Sequence, residues 1–273
     1  MKGKILTLLE NSVRHRGLLA EHGISFYIEF DNNKLLFDVG QSGVILRNAQ
    51  SLGINLEGLS WIALSHNHYD HTGGLLPLLK YLDKKPKLFA HPDAFLRPRY
   101  IFSPNTSPRD VGNPYSLSDV EPLCEEIVLQ SYGKEIVSGI FLTGEIERKT
   151  PFEDVGDDFR LANGDKDPIW DDQSLVIDAP QGLMVLLGCG HSGLVNTLLK
   201  VRELFPSRPI EAVIGGFHLG SASPERLKAT ADALKEFGVN QVIGGHCTGW
   251  KASLFLSQNV KFFPLFTGML IEL

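Results

Sequence analysis

Short apolar runs bounded by turn residues alternate along this chain with segments whose apolar positions recur every third or fourth residue. That alternation predicts an α/β protein rather than an all-helical or all-strand one. Strands are predicted near residues 4–9, 24–30 and 34–38, the last two joined as a hairpin at Asp31-Asn32-Asn33. Ser42 is placed to cap a helix running toward Gly53 with Val44, Ile45 and Ala49 on its buried side. The apolar stretch Leu59, Trp61, Ile62, Ala63, Leu64 then reads as a buried strand, followed by a helix near 74–82 and a short strand over 87–90.

The second half repeats the pattern. Strands over 175–177 and 183–187 flank the turn Ala179-Pro180-Gln181-Gly182. A helix over 194–204 and a strand over 210–214 follow. The clearest helix begins with Ser223 as N-cap and Pro224 at its first position and stops at Gly238, with Leu227, Ala231, Leu234 and Phe237 as its apolar stripe. Residues 97–172 break this regularity. They hold several prolines, Gly112-Asn113-Pro114 and an acidic run over 154–172, with modest strand signal near 126–130 and 134–142. A long irregular insertion reads as a cap or substrate-shaping wall, with surface decoration as the competing reading.

The 273 residues, 43% hydrophobic and 21% charged, allow a large core and are expected to form a single domain spanning 1–273, because no linker-like stretch divides them. A net charge of -6 argues against a broad nucleic-acid-binding face. Arg97, Arg99 and Arg109 offer at most a local positive pocket, and solvated surface is the simpler reading of each. The apolar run near the N-terminus is too short for a secretory signal, and no stretch approaches the ~18 residues that span a membrane. Cys124, Cys189 and Cys247 make no disulfide framework. The expectation is a soluble cytoplasmic protein with no membrane or nucleic-acid partner.

Candidate chemistry concentrates in Ser65-His66-Asn67-His68-Tyr69-Asp70-His71-Thr72-Gly73-Gly74, directly after the buried strand. On an extended chain, side chains two apart share a face, so His66 and His68 can grip one ion while Asp70 and His71, on the turn into a helix, face a second. Gly73-Gly74 lets the backbone bend there. Neutral imidazoles and a carboxylate without thiolate suit zinc first and manganese or iron next, whereas calcium wants more oxygens. Three later strands end alike, in Gly188-Cys189-Gly190-His191, Gly215-Gly216-Phe217-His218 and Gly244-Gly245-His246. Open α/β sheets place their chemistry at the carboxyl ends of strands, so these histidines are expected to converge.

The run His66-x-His68-x-Asp70-His71 after an apolar strand resembles the signature of the metallo-β-lactamase superfamily. The resemblance extends over nearly the whole chain, through Phe37-Asp38-Val39-Gly40 upstream and the three strand ends downstream. With Glu21-His22-Gly23, Thr143-Gly144-Glu145 and His246-Cys247-Thr248-Gly249, it is most similar to the subgroup named for the archaeal dihydropterin ribofuranosylaminobenzene phosphate synthase. The resemblance implies a four-layer αββα sandwich with two divalent metal ions. His246 matches the final ligand, beside Asp70 and His71. His191 would be the third ligand of the His66/His68 ion, and Asp38 the carboxylate that receives a ligand imidazole N–H. The chain departs from the pattern where Cys189 stands in place of a metal-bridging aspartate. Either Cys189 bridges as thiolate, or it is a buried small hydrophobe while His191 takes the metal. His218 matches no ligand and is assigned to substrate or oxyanion contact.

Such a centre predicts a hydrolase that uses a metal-bound hydroxide on a small anionic substrate, a phosphoester or lactone, with Asp70 and His218 catalytic. The alternatives are a pterin-related transferase, implied by the subgroup, and a non-catalytic metal-binding or sensor protein.

Overall fold

The computed structural model describes residues 3–96, 98–103, 105–156 and 158–273, so Arg97 lies outside the described residues. The chain divides into two compact units. The first comprises Met1–Ser131, Asp157–Asp171 and Phe266–Leu273, and the second Tyr132–Gly156 and Asp172–Leu265.

The first unit is built on a seven-stranded mixed sheet. Its order is Leu270–Glu272, Gly3–Leu9, Ser25–Phe30, Asn33–Phe37, Trp61–Ala63, Lys87–Ala90 and Glu126–Leu129. The first four strands pair antiparallel and the last four parallel, so Asn33–Phe37 is where the direction changes. Helices Val44–Ser51 and Leu75–Tyr81 bury Ile45, Ala49, Leu75, Leu78 and Leu79 in a core shared with Leu36, Ile62 and Leu88 of the sheet. Ser42 lies one residue before the helix N-cap, Gly43. Its hydroxyl donates to Glu21 Oε2 at 2.7 Å and accepts the Val44 N–H at 3.2 Å. A separate three-stranded sheet, in the order Asp158–Leu161, Arg99–Phe102, Arg109–Asp110, belongs to the same unit.

The second unit carries another seven-stranded mixed sheet, ordered Phe262–Pro264, Gln241–Gly245, Ile210–Gly216, Gly182–Leu187, Ser174–Ala179, Ile140–Leu142 and Lys134–Val137. Phe262–Pro264 through Gly182–Leu187 run parallel, and the remaining strands pair antiparallel. Helices Leu194–Leu204, Pro224–Glu236 and Trp250–Asn259 bury Leu194, Leu198, Leu227, Ala231, Ala252 and Leu256 against Val185, Val213 and Val242. Ser223 accepts the Arg226 N–H as N-cap, and Gly238 ends the helix at φ 67°.

The irregular segment 97–172 is therefore divided. Glu126–Leu129 is an edge strand of the first sheet, Lys134–Val137 and Ile140–Leu142 complete the second, and Arg99–Phe102, Arg109–Asp110 and Asp158–Leu161 form the small sheet. No helix among the described residues is long and apolar enough to cross a membrane.

Candidate metal centre

In the first unit, the parallel strand Trp61–Ala63 ends beside Asn33–Phe37, so the residues after each strand meet. Asp38 is fully buried. Its carboxylate accepts the Ser65 N–H and the Ser65 hydroxyl, each at 2.7 Å, and lies 2.7 Å from His71 Nδ1. A carboxylate can only accept here, so Nδ1 of His71 carries the proton and Nε2 keeps its lone pair. That Nε2 stands 3.6 Å from Asp70 Oδ2. His66 Nε2 and His68 Nδ1 lie 3.0 Å apart, both rings buried. Two nitrogens bound to one tetrahedral zinc ion would be about 3.3 Å apart given metal–nitrogen bonds of ~2.0–2.1 Å. The four donors thus fall into two pairs of suitable separation, and the histidine and carboxylate set fits a borderline divalent ion.

The turn Tyr69–Thr72 follows His68, whose backbone is extended, and leads into helix Leu75–Tyr81. Gly73 and Gly74 form the turn between these two segments with φ of -65° and -75°, so the bend there needs no positive φ. They are needed for close approach: a Cβ at Gly74 would stand 2.1 Å from the Val39 carbonyl oxygen, and at Gly73 2.3 Å from that of Gln41. Both carbonyls belong to the chain just after Asp38.

A brace behind the run was not anticipated. The Asn67 N–H donates to Asp171 Oδ2 at 2.7 Å, and Arg99 Nη1 holds Asp171 Oδ1 at 2.7 Å while Arg99 Nε pairs with Asp167 at 3.0 Å. Arg99 is 1% exposed, so it is a structural cation rather than a surface one. The Asn67 side chain donates to the carbonyls of Ala94 and Leu96. Arg109 is exposed. His22 borders Asp70, with Nε2 3.2 Å from its Oδ2.

In the second unit, Gly182–Leu187, Ile210–Gly216 and Gln241–Gly245 are adjacent and parallel, so their carboxyl ends share one edge of the sheet. Cys189 and His191 are buried there. His191 Nδ1 lies 2.8 Å from the Val155 carbonyl, which places the proton on Nδ1 and makes Nε2 the nitrogen that could bind a metal. The rings of His191 and His218 are 4.3 Å apart, and Cys189 Sγ is 3.2 Å from His246 Nε2. Cys247, beside His246 in sequence, also comes to this edge: its sulfur accepts the His218 N–H at 3.3 Å and contacts the Cys189 carbonyl at 3.4 Å. Burial would raise the Cys247 thiol, but Cys189, His246 and His218 outweigh it and hold it well below the ordinary thiol range. Its position next to His246, a candidate ligand, was the one signal in the sequence.

Asp38, His218 and His246 all adopt positive φ, at 60°, 44° and 51°. Non-glycine residues hold that conformation at a cost of about 1–3 kcal/mol each, and such strain gathers at functional sites.

The family described as the metallo-beta-lactamase superfamily matches residues 21–197. A 7,8-dihydropterin-6-methyl-4-(beta-D-ribofuranosyl)-aminobenzene-5'-phosphate synthase of Methanocaldococcus jannaschii is 36% identical over 284 residues, covering 98% of this chain and 96% of that one. An uncharacterized protein of the same organism is 31% identical, covering 98% and 99%. A solved structure described as a metal-dependent hydrolase of the beta-lactamase superfamily superposes with a TM-score of 0.84 at 32% identity, over 99% of both chains.

Proposed function

The chain belongs to the metallo-beta-lactamase superfamily, and from that premise we propose that it is a metal-dependent hydrolase of a small anionic molecule such as a phosphoester or lactone. The observation that carries this reading is the pairing of four donors in the first unit, His66 with His68 and Asp70 with His71, at separations suited to two ions. Within the second unit, Cys189, His191 and His246 are candidate metal donors in their own right, and zinc is the preferred metal.

Bound divalent metal would supply a Lewis acid and make water acidic enough to act as a nucleophile near neutral pH. The chain's own groups do the positioning. Asp38 holds the His71 imidazole in the tautomer that presents Nε2. Ser65 links Asp38 to His66, its hydroxyl lying 2.7 Å from the Asp38 carboxylate and 2.8 Å from His66 Nδ1. Asp70 is the only carboxylate among the four donors, so the imidazoles leave most of the metal charge unneutralised and an anionic substrate is drawn in. The reaction is assigned to the cytoplasm, which fits thiols that form no disulfide among the described residues.

A second reading is favoured by the 36% identity to the synthase. In it the same centre helps a pyrophosphate group leave as a pterin is joined to an aromatic amine. One experiment separates the two. Full-length protein is purified without added metal, its metal content is measured, and it is offered a generic phosphodiester, a lactone, and a pterin pyrophosphate with and without the amine. Hydrolysis of a single substrate, abolished in His66→Ala, supports the hydrolase. Pyrophosphate release only when both partners are present supports the transferase, and a chain that binds no metal after reconstitution overturns both.

A further inference from the structure

The second unit brings a ligating atom of Cys189, His218 and Cys247 within 4.8 Å of one another. We infer that this end of the unit holds a metal ion through the thiolates of Cys189 and Cys247 and the imidazole of His218, a site that selects zinc or another thiophilic divalent ion. The inference rests on the reading that the strand ends of this unit bind metal, and it moves His218 from substrate contact to ligand.

Donor atoms around a tetrahedral zinc ion are about 3.3–3.8 Å apart, given Zn–S ~2.3 Å and Zn–N ~2.0–2.1 Å. A cluster drawn together within 4.8 Å closes onto an ion with small side-chain movements. The backbone is cut back where these groups sit. A Cβ at Gly216 would stand 2.7 Å from Cys247 Sγ and 2.4 Å from the Gly188 carbonyl, and one at Gly156 would stand 2.0 Å from the His218 ring. His218 accepts a strained φ of 44° in this position, and its N–H already points at the Cys247 sulfur. Three protein donors leave a fourth position, as in zinc sites that keep an opening for water or substrate. Thiolates favour zinc and iron over manganese and magnesium, so these two cysteines would set metal choice where the first unit's histidine and carboxylate donors do not. Cys124 takes no part, being buried in the first unit's apolar core.

The test uses the full chain stripped by a chelator and reloaded with cobalt(II) alone. The expected result is near-ultraviolet thiolate-to-cobalt absorption that weakens in Cys189→Ser and in Cys247→Ser, disappears in the double variant, and is abolished by competing zinc but not by manganese. No such band in the parent chain, or a band unchanged in Cys247→Ser, overturns the proposal. Should either variant fail to fold, alkylation of the parent chain decides. Zinc should protect Cys189 and Cys247 from iodoacetamide, and modification at the same rate with and without zinc overturns the site. Neither readout involves turnover. A chain with the band and no hydrolysis would overturn the hydrolase reading alone, and hydrolysis without the band would overturn this one alone.

Discussion

Asp38 Oδ2 stands 2.7 Å from Nδ1 of His71, with both side chains fully buried. The same carboxylate takes both hydrogen bonds from Ser65, so one residue orients donors on either side of the ligand run. Asp38→Ala should lower metal affinity about 10–100-fold, the usual cost of removing a hydrogen-bond partner behind a ligand. Competition with a chromophoric chelator measures it, and an affinity equal to the parent's would remove Asp38 from the site.

The Arg99–Asp171 pair makes a separable prediction. Deleting the shared cation strands two buried carboxylates, Asp167 and Asp171, so Arg99→Met should cost about 3–5 kcal/mol in urea denaturation. The triple variant Arg99→Met/Asp167→Asn/Asp171→Leu should recover much of that stability, because no buried charge is then left uncompensated. It should not recover metal affinity, because the Asn67 N–H then lacks its acceptor. Recovery of both would show that the pair serves stability alone.

Glu153 accepts the N–H groups of Val195 and Asn196, yet burial raises its carboxyl above the ordinary value of 4.5 despite them. The folded state then binds more protons than the unfolded one between those two values. Stability attributable to this group is full below the unfolded pKa and falls as pH rises through the folded one. Glu153→Gln should flatten that slope, so its stability relative to the parent is higher at pH 7 than at pH 4.5. Denaturation of both proteins at the two pH values checks it, and a parallel pair of profiles would refute it.

Gly216 has no room for a methyl group, with the Gly188 carbonyl at 2.4 Å and Cys247 Sγ at 2.7 Å from the position a Cβ would take. Gly216→Ala should destabilise the chain by about 1–3 kcal/mol through overpacking. It should also weaken metal binding, whereas Gly238→Ala, where nothing lies within 4 Å of a Cβ, should leave metal binding unchanged.

The alternation of apolar runs and helical stripes carried much of the fold. Lys87–Ala90 and Leu194–Leu204 have the bounds that periodicity predicts, and the Ser223-Pro224 start and Gly238 stop mark a real helix. The small sheet of the first unit was not legible, because its strands are short and hold charged residues such as Arg99, Arg109, Asp158 and Arg160. The strand Leu270–Glu272 is short and largely exposed, so it lacks alternation strong enough to read. Within the site, His66, His68, Asp70 and His71 announce themselves by spacing. Asp171 and Arg99 do not, since Asp171 lies 104 positions from Asn67 and 72 from Arg99 along the chain and only tertiary pairing links them.

The positive φ of Asp38, His218 and His246 bears on the history of such chains. Glycine would occupy those three backbone positions without strain, so backbone conformation alone would favour it. A descendant that had lost its metal would drift toward glycine or asparagine there. Aspartate or histidine kept at these three places would mark a lineage whose centre is still in use.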